Sequence, residues 1–214
     1  MKKIISRFKN IPSYARLPII ISAVTHLLVY YIPLIFGRDT VRTLSSAFDS
    51  ATPLIPAFVY IYVAAFPFWV MGYIHIYSMD EYTAKRLLLA DLLCKVIATL
   101  CYCLYPCTLI QPAAEEITGI GAWALKIVYF FDKPTNLLPS MHCFVSWLCA
   151  RPLLTRYAKN ESRKLKIGNT VFAILVFAST VFTKQHVIVD VISGFAVAEI
   201  GWLVSYAFIK RETL

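Results

Sequence analysis

Two histidines and one aspartate stand where long apolar stretches begin. The chain runs Leu138-Pro139-Ser140-Met141-His142 into one hydrophobic segment, and Lys184-Gln185-His186-Val187-Ile188-Val189-Asp190 into another. Residues four apart share a helix face, so Asp190 can reach the ring of His186. A carboxylate on one ring nitrogen fixes the tautomer and leaves the other nitrogen free to attack. It would also balance the positive charge on a phosphorylated imidazole. Pro139 and Ser140 make a good helix start, with Ser140 near the cap position. Such a start offers free N–H groups to a phosphate, and a protonated His142 there can donate to a departing alkoxide. The pattern suits phosphoryl transfer through a histidine nucleophile, on a substrate delivered from lipid.

The elements that hold these residues must be membrane helices. Of 214 residues, 59% are hydrophobic and only 15% are charged, a balance that no soluble domain of this length carries. The formal charge of +9 forms no single patch and has no stacking motif beside it, which excludes a nucleic-acid partner. The six cysteines include no Cys-x-x-Cys pair and no disulfide framework. Cys103 and Cys107 share a helix face and are read as packing. No small-residue cleavage site follows the first apolar run, so that run is read as a retained membrane helix.

The sequence predicts an all-α, polytopic membrane helix bundle forming one domain over residues 1–214, with about six transmembrane helices. The segments are 17–36, 52–76, 87–110, 139–158, 168–184 and 187–209. Asp91 and Lys95 interrupt the third, and Arg151-Pro152 the fourth, as in helices packed inside protein. Asp91 and Lys95, four apart, are expected to pair. The last two segments meet at Lys184-Gln185-His186, which demands a tight turn. Ile117–Phe131 is expected to lie along the membrane as a short helix or lid. His26 and His75 have no partner at helical spacing and are read as interhelical hydrogen-bonding residues.

Charge sets an expected orientation. Lys2, Lys3, Lys9, Lys85, Arg163 and Arg211 stand with most of the basic residues on one side, against Arg38, Arg42, Lys126, Lys133 and Lys184 on the other. Positive charge marks the cytoplasm, so both termini are expected inside and the two histidines at the extracytoplasmic face. A bacterial inner or plasma membrane is the expected location.

Pro139-Ser140-Met141-His142 and His186-x-x-x-Asp190 resemble the second and third motifs of the type 2 phosphatidic acid phosphatase superfamily, over roughly residues 85–205. The resemblance implies a lipid phosphate phosphatase or phosphotransferase with no metal and no other cofactor. His186 would be the nucleophile, Asp190 its orienting partner and His142 the acid for the leaving group. Pro-Ser-Met-His with Tyr105-Pro106 upstream also resembles the inositol phosphorylceramide synthase-like branch.

The departures lie in the phosphate-holding cations. Met141 stands where the family has Gly, and Thr180 follows Ser179 where the family has Arg. Leu104 through Gln111-Pro112 replaces Lys, six residues and Arg-Pro. Lys184 is the substitute expected to meet phosphate, with Arg42, Lys126 and Lys133 as outer-side alternatives. Gln111 offers a hydrogen bond, and Ser140 and Thr180 complete the phosphate-binding candidates. Three functions fit: hydrolysis of a lipid phosphomonoester or diphosphate, transfer of a lipid head-group phosphate to an alcohol, or a non-catalytic lipid-binding or transport role. Lipid phosphate substrate and membrane lipids are the expected partners.

Overall fold

Apolar stretches in lipid leave the backbone little choice but helix, because each N–H and C=O must be satisfied within the segment. The computed structural model describes Arg7 and residues 10–35 and 41–210. Lys2, Lys3, Lys9, Arg38, Arg211 and the end of the 17–36 segment lie outside them. Among the described residues the α-helices are α1 (Ser13–Ile35), α2 (Ala47–Ala51), α3 (Val59–Tyr77), α4 (Glu81–Leu104), α5 (Ala122–Phe131), α6 (Met141–Ala150), α7 (Arg163–Phe182) and α8 (Ile188–Phe208). Strands β1 (Arg42–Thr43) and β2 (Cys107–Thr108) pair in parallel, Arg42 opposite Cys107. The bundle is all-α apart from that small ladder.

Among the described residues, five helices are long and apolar enough to cross a membrane: α1, α3 with the 3-10 turn before it, α4, α7 and α8. The protein is a membrane protein. The expected span over 139–158 takes another form. Ser140 caps α6 by accepting from the Cys143 N–H, and a 3-10 turn over Arg151–Leu154 follows the helix. Pro152 has no N–H to continue an α-helix. Ten residues reach only about 15 Å, half the hydrocarbon core. Almost all of α6 is buried, packed among α3, α7 and α8. It is a central strut: with the 3-10 turns that follow, the segment runs from the end where His142 meets His186 to the end where Tyr157 packs on Tyr82, so the expected 139–158 span crosses the bundle as a broken helix.

Around this strut, α4 packs against both α1 and α8. Gly194 lets α8 meet the start of α6, since a Cβ there would sit 2.6 Å from the Ser140 carbonyl oxygen. The expected Asp91–Lys95 pair forms at 2.6 Å. Asp91 also accepts from Tyr73 and Ser22, and Lys95 donates to the Ser22 carbonyl, so one polar knot joins α1, α3 and α4. His75 meets Glu161 at 3.2 Å, and Glu161 meets Arg7 at 3.0 Å, an interhelical role as expected.

Within Ile117–Phe131 the chain forms the short apolar helix α5. Its Gly121 start has φ 87°, and a Cβ there would lie 2.7 Å from the Pro56 carbonyl oxygen. Leu125 and Tyr129 pack inward on Val59 and Ile117, while Trp123, Phe130 and Phe131 stay exposed. That outward aromatic face suits the membrane interface.

Candidate active site

The two histidine motifs meet because three backbone devices bring them together. First, the chain reverses between α7 and α8 in a turn whose Gln185 and His186 N–H groups both donate to the Thr180 carbonyl at 3.0 Å. Lys184 takes the left-handed conformation there, at φ 51°. Second, the Asp190 carboxylate accepts from the Val187 N–H at 3.1 Å, which starts α8. Third, the Ser140 N–H donates to the Asp190 carbonyl at 3.0 Å, which ties the start of α6 to the first turn of α8.

Side chains then converge. His186 Nδ1 lies 3.2 Å from the same Asp190 oxygen, Oδ2. With the proton on Nδ1, the ring donates to the carboxylate and Nε2 is left for attack. The His142 and His186 rings are 5.8 Å apart, centre to centre. His142 stacks on Tyr62 at 4.2 Å and leans on Trp69 at 5.0 Å. Tyr62 in turn donates to Asp132 at 2.5 Å, and Tyr102 to the Pro139 carbonyl at 2.5 Å. Among the described residues, His142 Nε2 and Asp190 Oδ1 are buried without a hydrogen-bond partner. Ser78 Oγ, away from the site, shares that state.

His186 also forms part of the wall of two cavities. One, of about 290 Å³, is shared with His142 and faced by Tyr62, Phe66, Trp69 and Tyr102. The other, of about 530 Å³, is faced by Asp49, Gln111 and Lys184. Neither includes a reactive thiolate from nearby Cys107, whose thiol is pushed up by burial and by the Asp190 charge.

The phosphate-binding candidates scatter. Lys184 faces the second cavity, but its ammonium donates to the carbonyls of Asp49 at 2.7 Å and Thr52 at 2.6 Å. Gln111 faces that cavity too, 3.4 Å from the Lys184 carbonyl and 3.3 Å from Gln185 Oε1. Ser140 serves as the α6 cap and is fully buried. Thr180 is also buried, its hydroxyl donating to the Phe177 carbonyl. Neither Ser140 nor Thr180 borders either of these two cavities. Of the alternatives, Lys133 borders the first cavity, Arg42 stacks on Tyr105, and Lys126 is exposed.

The aromatic wall is legible in the sequence only as a spacing. Tyr62, Phe66, Trp69 and Tyr73 recur at helical spacing in one segment, a signal for a single face. In the sequence His26 reads as a bonding residue. The structure turns His26 toward the first cavity, 5.5 Å from the Trp69 ring.

In this membrane helix bundle a buried His–Asp pair faces a second histidine. The chain belongs to the PAP2 superfamily, whose family model matches residues 82–214. Members of that superfamily are in general phosphatases or related enzymes. No curated protein and no solved structure matches the chain.

Proposed function

We propose that the protein is a lipid phosphatase that hydrolyses a lipid phosphomonoester or diphosphate at the extracytoplasmic face. One observation carries the reading: His186, bonded to Asp190, faces His142 across one cavity. Nε2 of His186 attacks phosphorus as the bond to the leaving oxygen breaks, and His142 gives that oxygen its proton. Asp190 balances the charge on the phosphorylated ring. Water then attacks phosphorus, its proton passes to His142, and the bond to Nε2 breaks. The test is phosphate release from a panel of lipid phosphates and diphosphates. Both His186→Ala and His142→Ala should lose it, the latter by roughly 10²–10⁴-fold if acid catalysis is what it supplies. Full activity in His186→Ala would leave a lipid-binding or transport role instead.

A second reading is favoured by the state of Lys184. With its ammonium spent on two carbonyls, Lys184 is not free for a phosphomonoester dianion, which leaves Lys133 as the cation bordering the cavity of the two histidines. A singly charged phosphodiester asks for less. On this reading the phosphorylated His186 passes a lipid head-group phosphate to an alcohol, as the resemblance to the inositol phosphorylceramide synthase-like branch also implies. Labelled phospholipid with candidate lipid alcohols tests it: a labelled product that depends on the added alcohol supports transfer, and release into water alone supports hydrolysis.

A further inference from the structure

Breaking down a phosphohistidine with water asks more of a site than forming it does. The water must turn a lone pair toward phosphorus, and it has two hydrogens to place. One goes to the general base. Unless the second also meets an acceptor, the water is poorly oriented and attack is slow. An alcohol has only one such hydrogen, so a second acceptor favours hydrolysis and does nothing for transfer.

His142 is the first acceptor, because it has just given its proton to the leaving oxygen and its Nε2 has no partner among the described residues. Asp132 stands beside it in the wall of the same cavity, the one carboxylate there among the described residues. Tyr62 touches both: its ring stacks on His142 at 4.2 Å, and its hydroxyl donates to Asp132 Oδ2 at 2.5 Å. The other carboxylate oxygen, Oδ1, has no hydrogen-bond partner among the described residues. The Asp132 backbone is held on both sides, its N–H donating to the Val128 carbonyl at 2.8 Å and its carbonyl accepting from Gln185 Nε2 at 3.4 Å. The carboxylate is thereby tied to the residue just before His186, with or without the Tyr62 phenol. Other polar groups in this wall cannot replace it, since the Lys133 ammonium only donates and the Tyr102 hydroxyl is engaged with the Pro139 carbonyl. A negative charge here repels the substrate phosphate. An acceptor for water is what it offers in return.

We propose that Asp132 holds the second hydrogen of the attacking water and so commits the phosphohistidine to hydrolysis rather than transfer. The inference rests on the phosphatase reading above, in which His186 carries the phosphorus. As the water oxygen–phosphorus bond forms, the bond to Nε2 breaks and its electron pair returns to the ring. One water proton passes to His142. The other stays on the oxygen, hydrogen-bonded to Asp132 Oδ1, and leaves with inorganic phosphate. Asp132 itself neither gains nor loses a proton. An alcohol entering by the same route gives its single proton to His142 and has none for Asp132.

Two nucleophiles competing for the intermediate test this, because their product ratio does not depend on which step limits the rate. The full chain in nanodiscs is given dioleoyl phosphatidic acid or farnesyl diphosphate, radiolabelled in the terminal phosphate, in buffer containing methanol. Inorganic phosphate, from water, is then separated from methyl phosphate, from methanol. In Asp132→Ala the ratio of phosphate to methyl phosphate should fall roughly tenfold, the loss of one hydrogen bond to a charged group. Asp132→Asn keeps the shape of the side chain and serves if the alanine variant is unstable. Its amide oxygen is a weaker acceptor, so the ratio should move the same way by less. An unchanged ratio overturns the proposal however far the total rate falls, since an aspartate that only supports the fold slows both products alike. A ratio that moves toward phosphate overturns it too. Either result, with wild type yielding phosphate, leaves the phosphatase reading standing. A wild type that yields neither product from either lipid sinks that reading and this proposal together.

Discussion

His142 is gripped by rings rather than by hydrogen bonds. Tyr62 stacks on it and Trp69 leans on its side, while its Nε2 has no partner. Positioning of this kind is worth testing apart from chemistry. Tyr62→Phe keeps the ring and removes only the bond to Asp132, so kcat should stay near wild type. Tyr62→Ala removes the stack, and a shift of His142 by about 1 Å would lower kcat roughly 10²-fold. Steady-state kinetics decide it: equal losses in both variants would mean that the hydroxyl, not the ring, holds the site. At this scale the His186–Asp190 pair was legible in the sequence, because a four-residue spacing needs only a helix to become a contact. The fate of Lys184 was not. Its partners, Asp49 and Thr52, lie more than a hundred residues earlier, and no periodicity links a turn lysine to the end of a distant short helix.

Among the elements, the least expected is α6. Hydropathy marked 139–158 as a span because burial in protein and burial in lipid select the same side chains. What hydropathy did not show is the break: a ten-residue helix, then 3-10 turns from Arg151 onward, buried in protein rather than facing lipid. The knot at Asp91 shows the complementary case, since its i,i+4 spacing was visible but its reach to Ser22 and Tyr73 was not. The knot gives a prediction about stability. Asp91→Ala leaves the Lys95 ammonium buried without its carboxylate, which should cost about 3–5 kcal/mol. Replacing both, as Asp91→Leu with Lys95→Met, should recover most of that loss. Thermal unfolding in detergent would show it, and a double variant as unstable as the single one would count against the pair as the source.

For the whole molecule, the alternation of helices sends His142 and His186 to one end and Arg163, at the start of α7, to the other. The excess of basic residues at the second end predicts which faces the cytoplasm. A cysteine introduced at exposed Ile120 should react with an impermeant thiol reagent on intact cells, and one at Lys85 only after permeabilisation. The reverse pattern would turn the protein over. The family match covers residues 82–214, and His142, His186 and Asp190 all lie in it. Leu27, Tyr62, Phe66 and Trp69, which wall the cavity around His142, come earlier in the chain. Part of the wall, though not Tyr102 or Lys133, is therefore encoded apart from the bond-making groups, so the guest can be changed by editing the earlier stretch while those groups are left as they are.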